Sequence, residues 1–126
     1  MSHHVLLAED DRFLRKAAET MLKRSGFTVT AAADGEEALR MAREVRPDLM
    51  LLDLVMPKMP GFDVLAALKA APETAAIPVI VLSNLGQDSD VQLARERGAT
   101  DYIIKSNIAL ESLVERVRAF FASRAA

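Results

Sequence analysis

Five side chains in this sequence could do chemistry as a group: the acids Glu9, Asp10 and Asp53, the hydroxyl of Ser83 and the amine of Lys105. Each follows a short apolar run, HVLLA (4–8), LMLL (49–52), IPVIVL (77–82) or YII (102–104). Asp53 is followed by Pro57, which forbids the run from continuing as regular strand or helix. Three carboxylates brought together repel one another, so such a site either raises a pKa or holds a cation. A cation is the simpler outcome. The candidate ligands are all oxygens, which selects a hard ion such as Mg²⁺ over zinc, while Mn²⁺ is scarcely distinguished from Mg²⁺. Glu9, Asp10 and Asp53 would hold it, together with a backbone carbonyl of the irregular loop beyond Asp53, that of Val55. Lys105 adds a fixed positive charge and Ser83 a hydroxyl donor. A metal, a lysine and a hydroxyl around one carboxylate form a receptor for a phosphoryl group, whose transfer needs mainly positioning and charge neutralisation. Asp53 is then the nucleophile, and the product an aspartyl phosphate.

Those residues meet only if the apolar runs lie side by side with their carboxyl ends at one edge. His4 to Ala8 reads as a first strand, and Asp11 is placed to cap the helix after it. From Arg12 to Ser25, Phe13, Leu14, Ala17, Ala18, Met21 and Leu22 recur at helical spacing, with Gly26 as terminator. Phe27 to Ala32 is a second strand. Asp34-Gly35-Glu36-Glu37 opens a helix lined by Ala38, Leu39, Ala42 and Val45 and closed by Pro47. The third strand delivers Asp53 into a loop kept irregular by Pro57, Pro60 and Gly61, and a helix follows from Phe62 to Ala70. Ile77 to Leu82 is β-branched and makes a fourth strand that stops at Ser83-Asn84. Val91 to Arg97 is a short helix ended by Gly98, Tyr102 to Ile104 a fifth strand, and Leu110, Leu113, Val114, Val117, Phe120 and Phe121 mark an amphipathic last helix.

Strands alternating with helices, over connections too long for hairpins, predict an α/β fold: a five-stranded parallel sheet with helices on both faces. Right-handed crossovers favour the flavodoxin-like order 2-1-3-4-5, which makes strands 1 and 3 neighbours at the switch point. Residues 1–126, 51% hydrophobic, suffice for one domain with a real core. The net charge of -2 and pI near 5.7 supply no basic field for nucleic acid or anionic lipid. Without cysteine there is neither disulfide framework nor thiolate metal site, and no apolar run approaches a membrane span. A cytoplasmic protein is expected.

Each residue has a plainer reading. An acidic cluster after a strand is often a capping region, which suffices for Asp11 but less well for Glu9 and Asp10. Asp53 alone could be a turn residue, Ser83 a loop hydroxyl, Lys105 a solvated lysine and Tyr102 a half-buried core residue. His3 and His4 read as an unstructured terminus without a role. What lifts the set is its coincidence at the carboxyl ends of strands 1, 3, 4 and 5 of one sheet.

At this point the chain resembles a response-regulator receiver domain, the phosphoacceptor module of two-component signalling. The matching pieces are VLLAEDD (5–11), LLDLVMPKMPG (51–61), PVIVLSN (78–84) and GATDYIIK (98–105), moderate signals singly and highly specific together. The resemblance implies that Asp53 is phosphorylated by a histidine kinase, a histidine phosphotransfer protein or a small phosphodonor. It implies that Glu9, Asp10 and the Val55 carbonyl hold Mg²⁺, and that Ser83 and Lys105 contact the phosphoryl group. Ser83 would move toward the phosphate and Tyr102 swing inward behind it, altering the face made by the fourth helix, fifth strand and fifth helix toward an unknown downstream partner.

The sequence also departs from the family pattern. Lys105 is followed by Ser106 where many receivers have a cis proline, and for an ordinary residue the trans peptide is favoured by roughly 2.5 to 4 kcal/mol. The residues flanking the path of attacking water, Val55 and Leu85, cannot orient it, so a long-lived phosphoryl group is expected. After Phe121 only 122–126 remain, so no output domain is expected within the chain, which is either a stand-alone receiver or a piece of something longer. Glu111, Glu115, Arg116 and Arg118 read as a solvated face, and Arg95, Arg97 and Tyr102 as a sharper candidate output surface. The mixture of Arg97, Asp101 and Glu115 does not obviously reproduce the charge pairs of winged-helix regulators, which leaves homodimerisation open. A haloacid-dehalogenase-type phosphatase would need an aspartate at position 55, and a nucleotide or flavin site would need a glycine-rich turn after the first strand. A degenerate receiver acting as a phosphorylation-independent interaction module is the second reading.

Overall fold

The computed structural model describes residues 3–124. Along the chain run β1 (His4–Ala8), α1 (Arg12–Arg24), β2 (Thr28–Ala32), α2 (Gly35–Val45), β3 (Leu49–Leu52), α3 (Gly61–Ala70), β4 (Val79–Ser83), α4 (Asp88–Glu96), β5 (Asp101–Ile104), a single 3-10 turn (Lys105–Asn107) and α5 (Leu110–Arg124). All strand pairs are parallel and the order is β2-β1-β3-β4-β5, as the alternation predicts.

Period-two alternation along buried strands gives each face of the sheet its own core. Leu6, Ala8, Met50, Leu52, Val79 and Val81 pack with Ala38, Ala42, Val64, Leu65 and Leu68 of α2 and α3 and with Ala94 of α4. Val5, Leu7, Leu49, Leu51, Ile80, Leu82 and Ile103 pack with Ala18 and Leu22 of α1 and Leu113, Val114 and Val117 of α5. Strands covered on both sides can carry function only at their ends.

Helix starts are fixed chemically. Asp11 Oδ1 accepts the amides of Phe13 and Leu14 at 2.9 and 3.0 Å, and Asp34 Oδ1 accepts that of Glu37 at 2.8 Å, satisfying N–H groups that a first turn leaves unpaired. α1 ends in Lys23 and Arg24, and Gly26 takes φ 98° beyond it.

Several boundaries differ from expectation. β4 begins at Val79 and takes in Ser83, because Pro78 has no N–H to donate. α4 begins at Asp88, ahead of the expected Val91, where Asp90 Oδ2 accepts the Gln87 amide at 3.3 Å. Phe27 lies outside β2 and packs its ring 5.7 Å from that of Phe121. His3 and His4 are not an unstructured terminus: His4 opens β1 and its Nε2 lies 2.7 Å from Thr30 Oγ1, while the His3 ring stacks on Phe121 at 4.0 Å. No cis peptide occurs among the described residues, so Lys105 and Ser106 are joined in trans. No helix among them is long and apolar enough to cross a membrane.

Candidate functional site at the carboxyl edge of the sheet

β1 and β3 are adjacent, with Ala8 opposite Leu52, so the residues that follow each strand emerge together. The Glu9 amide donates to Ala32 O and the Asp53 amide to Ala8 O, both at 3.0 Å, which extends the ladder by one rung and fixes where the acids leave it. One carboxylate oxygen from each of Glu9, Asp10 and Asp53 lies within 4.8 Å of the others. Ser83 ends β4 opposite Ile104, the last residue of β5, and Lys105 follows Ile104 directly. All five predicted residues, with Val55, line one open cleft of about 370 Å³.

Lys105 Nζ bridges two of the acids, 2.5 Å from Glu9 Oε1 and 2.9 Å from Asp53 Oδ2. Asp53 is buried, its Oδ1 accepting the Val55 amide at 3.3 Å. Glu9 is more deeply buried. Its Oε2 accepts the Asp11 amide at 3.0 Å, whereas Oε1 has only the charge contact with Lys105 and no partner in hydrogen-bond geometry. Burial pushes the Glu9 carboxyl up to about 7, reinforced by Asp53 and opposed by Lys105 and the Asp11 amide. Burial pulls Lys105 the other way, but its close contacts with the negative charges of Glu9 and Asp53 outweigh it and leave the ammonium above its ordinary value. A buried carboxylate oxygen without a hydrogen-bond partner, beside two more carboxylates, suits a hard cation bound by oxygen.

Ser83 is fully buried, and its Oγ accepts the Leu85 amide at 3.3 Å. Tyr102 stands off the cleft, half-buried against the α2–α3–α4 core, with its hydroxyl donating to the Leu85 carbonyl. Burial raises its phenol, with Asp90 and Asp53 adding and a bond to Ser83 opposing. Ser83 and Tyr102 thus meet at one residue, Leu85. Of the suggested output residues, Arg97 turns toward α3, 3.8 Å from Asp63 and over the Phe62 ring; in the charge mixture of that face, Asp101 pairs with Arg116 at 2.6 Å.

Arg15 escapes sequence reasoning. Its Nη1 donates to the carbonyls of Glu9 at 2.9 Å and Asp10 at 3.3 Å, yet nothing in the sequence separates it from Arg12 or Lys16 on the same helix.

Comparison with known proteins gives concordant findings. Residues 5–118 match the family model described as response regulator receiver domain. The transcriptional regulatory protein PrrA of Mycobacterium leprae is 42% identical over 125 residues, which cover 99% of this chain and 52% of that protein. The chain spans about half the length of the curated relatives it matches. Among solved structures, the Vibrio cholerae chemotaxis protein CheY4 superposes with a TM-score of 0.87 at 28% identity, covering 94% of this chain and 98% of that one. The Mn²⁺-bound response regulator Rcp1 gives 0.84 at 30% identity, covering 94% of each chain.

Proposed function

The chain belongs to the response regulator receiver family, and from that premise we propose that it is a phosphoacceptor switch of a two-component phosphorelay, with Asp53 as the accepting group. The donor is a phosphohistidine on a histidine kinase or histidine phosphotransfer protein. An Asp53 carboxylate oxygen attacks phosphorus, the P–N bond breaks, and its electron pair leaves with the imidazole, which takes up a proton. The bond formed is an acyl phosphate.

The observation that carries this reading is the approach of three acidic oxygens to within 4.8 Å beside a lysine on Asp53. Glu9, Asp10, Asp53 and the Val55 carbonyl are the groups that would hold Mg²⁺, or Mn²⁺ as in Rcp1. When bound, the ion neutralises charge on the transferring phosphoryl oxygens. Lys105, already on Asp53 Oδ2, supplies a second positive charge, and Ser83 supplies a hydroxyl to the product. The new dianion draws Ser83 toward it and with it the Leu85 segment that Tyr102 holds, which biases the packing of α4, β5 and α5 and so the docking of a downstream protein. The switch would act in the cytoplasm, as a monomer or a homodimer, and its weak negative charge gives no reason for direct nucleic-acid binding by this domain.

Incubation with Mg²⁺ and acetyl phosphate is expected to add the mass of one phosphoryl group to wild type and none to Asp53→Asn. Failure to label wild type would favour the phosphorylation-independent module. The acyl phosphate should then persist well beyond seconds, because the exposed Val55 and the half-buried Leu85 offer attacking water no polar side chain. Decay within seconds, followed by mass spectrometry, would refute that part of the reading.

A further inference from the structure

We propose that Arg15 is a positioning residue for the cation site: through two backbone carbonyls it holds the segment carrying Glu9 and Asp10 in the conformation that lets both carboxylates face Asp53. The inference rests on the phosphoacceptor reading above. Its ground is geometric. Nη1 of Arg15 reaches back from the first turn of α1 to Glu9 O at 2.9 Å and Asp10 O at 3.3 Å, so one NH₂ group donates to two consecutive carbonyls. These carbonyls lie beyond the last β1 residue, Ala8, where the regular ladder of the sheet has ended. Without Arg15 the Glu9–Asp10 segment would keep the Glu9 amide bond to Ala32 and the Asp11 cap, but nothing on the carbonyl side of the two ligand residues. Groups behind a metal ligand that fix its orientation are commonly worth about 10- to 100-fold in metal affinity.

Arg15 also carries a positive charge, and charge alone acts in the opposite sense. A guanidinium near a divalent-cation site repels the cation, so if Arg15 acted only as a charge its removal would tighten binding. If it acts by holding the carbonyls, removal weakens binding. Positioning wins here because both contacts are direct hydrogen bonds, whereas the guanidinium is half-exposed and its field on the ion is screened by water.

The test is Mg²⁺ titration of the whole chain followed by amide chemical shifts of Asp10 and Asp53, with thermal melting in EDTA and the Mg²⁺ dependence of acetyl phosphate labelling alongside. Arg15→Met and Arg15→Gln are expected to weaken Mg²⁺ affinity about tenfold. They should leave the labelling rate at saturating Mg²⁺ unchanged, and Arg15→Lys, which keeps a charged donor, should fall between them and wild type. Should Arg15→Met fail to fold, Arg15→Gln decides in the same way. Affinity equal to or tighter than wild type in the neutral variant overturns the proposal. So does weakened affinity accompanied by loss of the saturated labelling rate and of metal-free thermal stability, which would assign Arg15 to the fold alone. If wild type itself takes up no Mg²⁺, the phosphoacceptor reading fails together with this one. Wild-type binding with unchanged variants removes only this one.

Discussion

Glu9 is the residue whose energetics separate most clearly from its neighbours'. Its carboxyl is raised from 4.5 to about 7, chiefly because burial penalises the charged form. The folded protein therefore holds this proton up to about pH 7 while the unfolded chain releases it near 4.5. The corresponding stability is fully present below 4.5 and lost as the pH rises through 7. In EDTA, wild type should lose on the order of 1 to 3 kcal/mol from this group across that interval. Glu9→Gln, which has no such proton to lose, should show a flatter profile and exceed wild type in stability at pH 8. Urea unfolding at a series of pH values checks this, and parallel profiles for the two proteins would remove the assignment. Residues differ in how far sequence reveals them. Asp53 is legible because an apolar run ends on it and a proline follows. Arg15 is not, because only the return of α1 over the end of β1 distinguishes it from its basic neighbours.

At the scale of elements, α3 must start directly beneath Asp53, and only the absence of a side chain permits it. A Cβ on Gly61 would lie 2.3 Å from Asp53 O and 2.5 Å from Leu54 Cα, both backbone atoms, so the strand end or the helix would have to move. Gly61→Ala is therefore expected to cost about 1 to 3 kcal/mol by overpacking and to slow Asp53 labelling. Gly26 is the contrast. Its Cβ would meet nothing within 4 Å, but its φ of 98° disfavours any other residue, so Gly26→Ala should cost about 1 kcal/mol with labelling unchanged. Equal effects on labelling would mean that the beginning of α3 does not set the position of Asp53. The existence and type of every regular element except the short 3-10 turn can be read from periodicity. Boundaries are harder where polar capping outruns the apolar pattern: α4 starts three residues before Val91 because Gln87 and Asp90 close its first turn. The terminus is hidden for a different reason. Nothing local indicates that His3 will stack on Phe121, a contact made across the length of the chain.

For the whole molecule, the strand order is legible because alternating strands and helices leave few right-handed windings, and that order alone brings Glu9, Asp10 and Asp53 together. Folding energy and chemistry then occupy different places. The two cores lie on the faces of the sheet, while the site gathers three acids at its edge, of which Lys105 contacts Glu9 and Asp53. Such an arrangement predicts that the two can be altered independently. Leu68→Ala, in the buried face of α3, should lose about 2 to 5 kcal/mol through its cavity while keeping the full increment of stability expected from Mg²⁺ at the proposed site. Asp10→Asn removes one of the repelling acids, so it should unfold no more easily than wild type in EDTA yet lose the Mg²⁺ increment. In the double variant the metal-free effects should add to within about 0.5 kcal/mol, because the substituted groups share no partner. Urea unfolding of the four proteins with and without Mg²⁺ measures each term. A coupling well above that limit would show that the acidic edge is strained by the packing beneath it, and that the fold is not a neutral platform for the site.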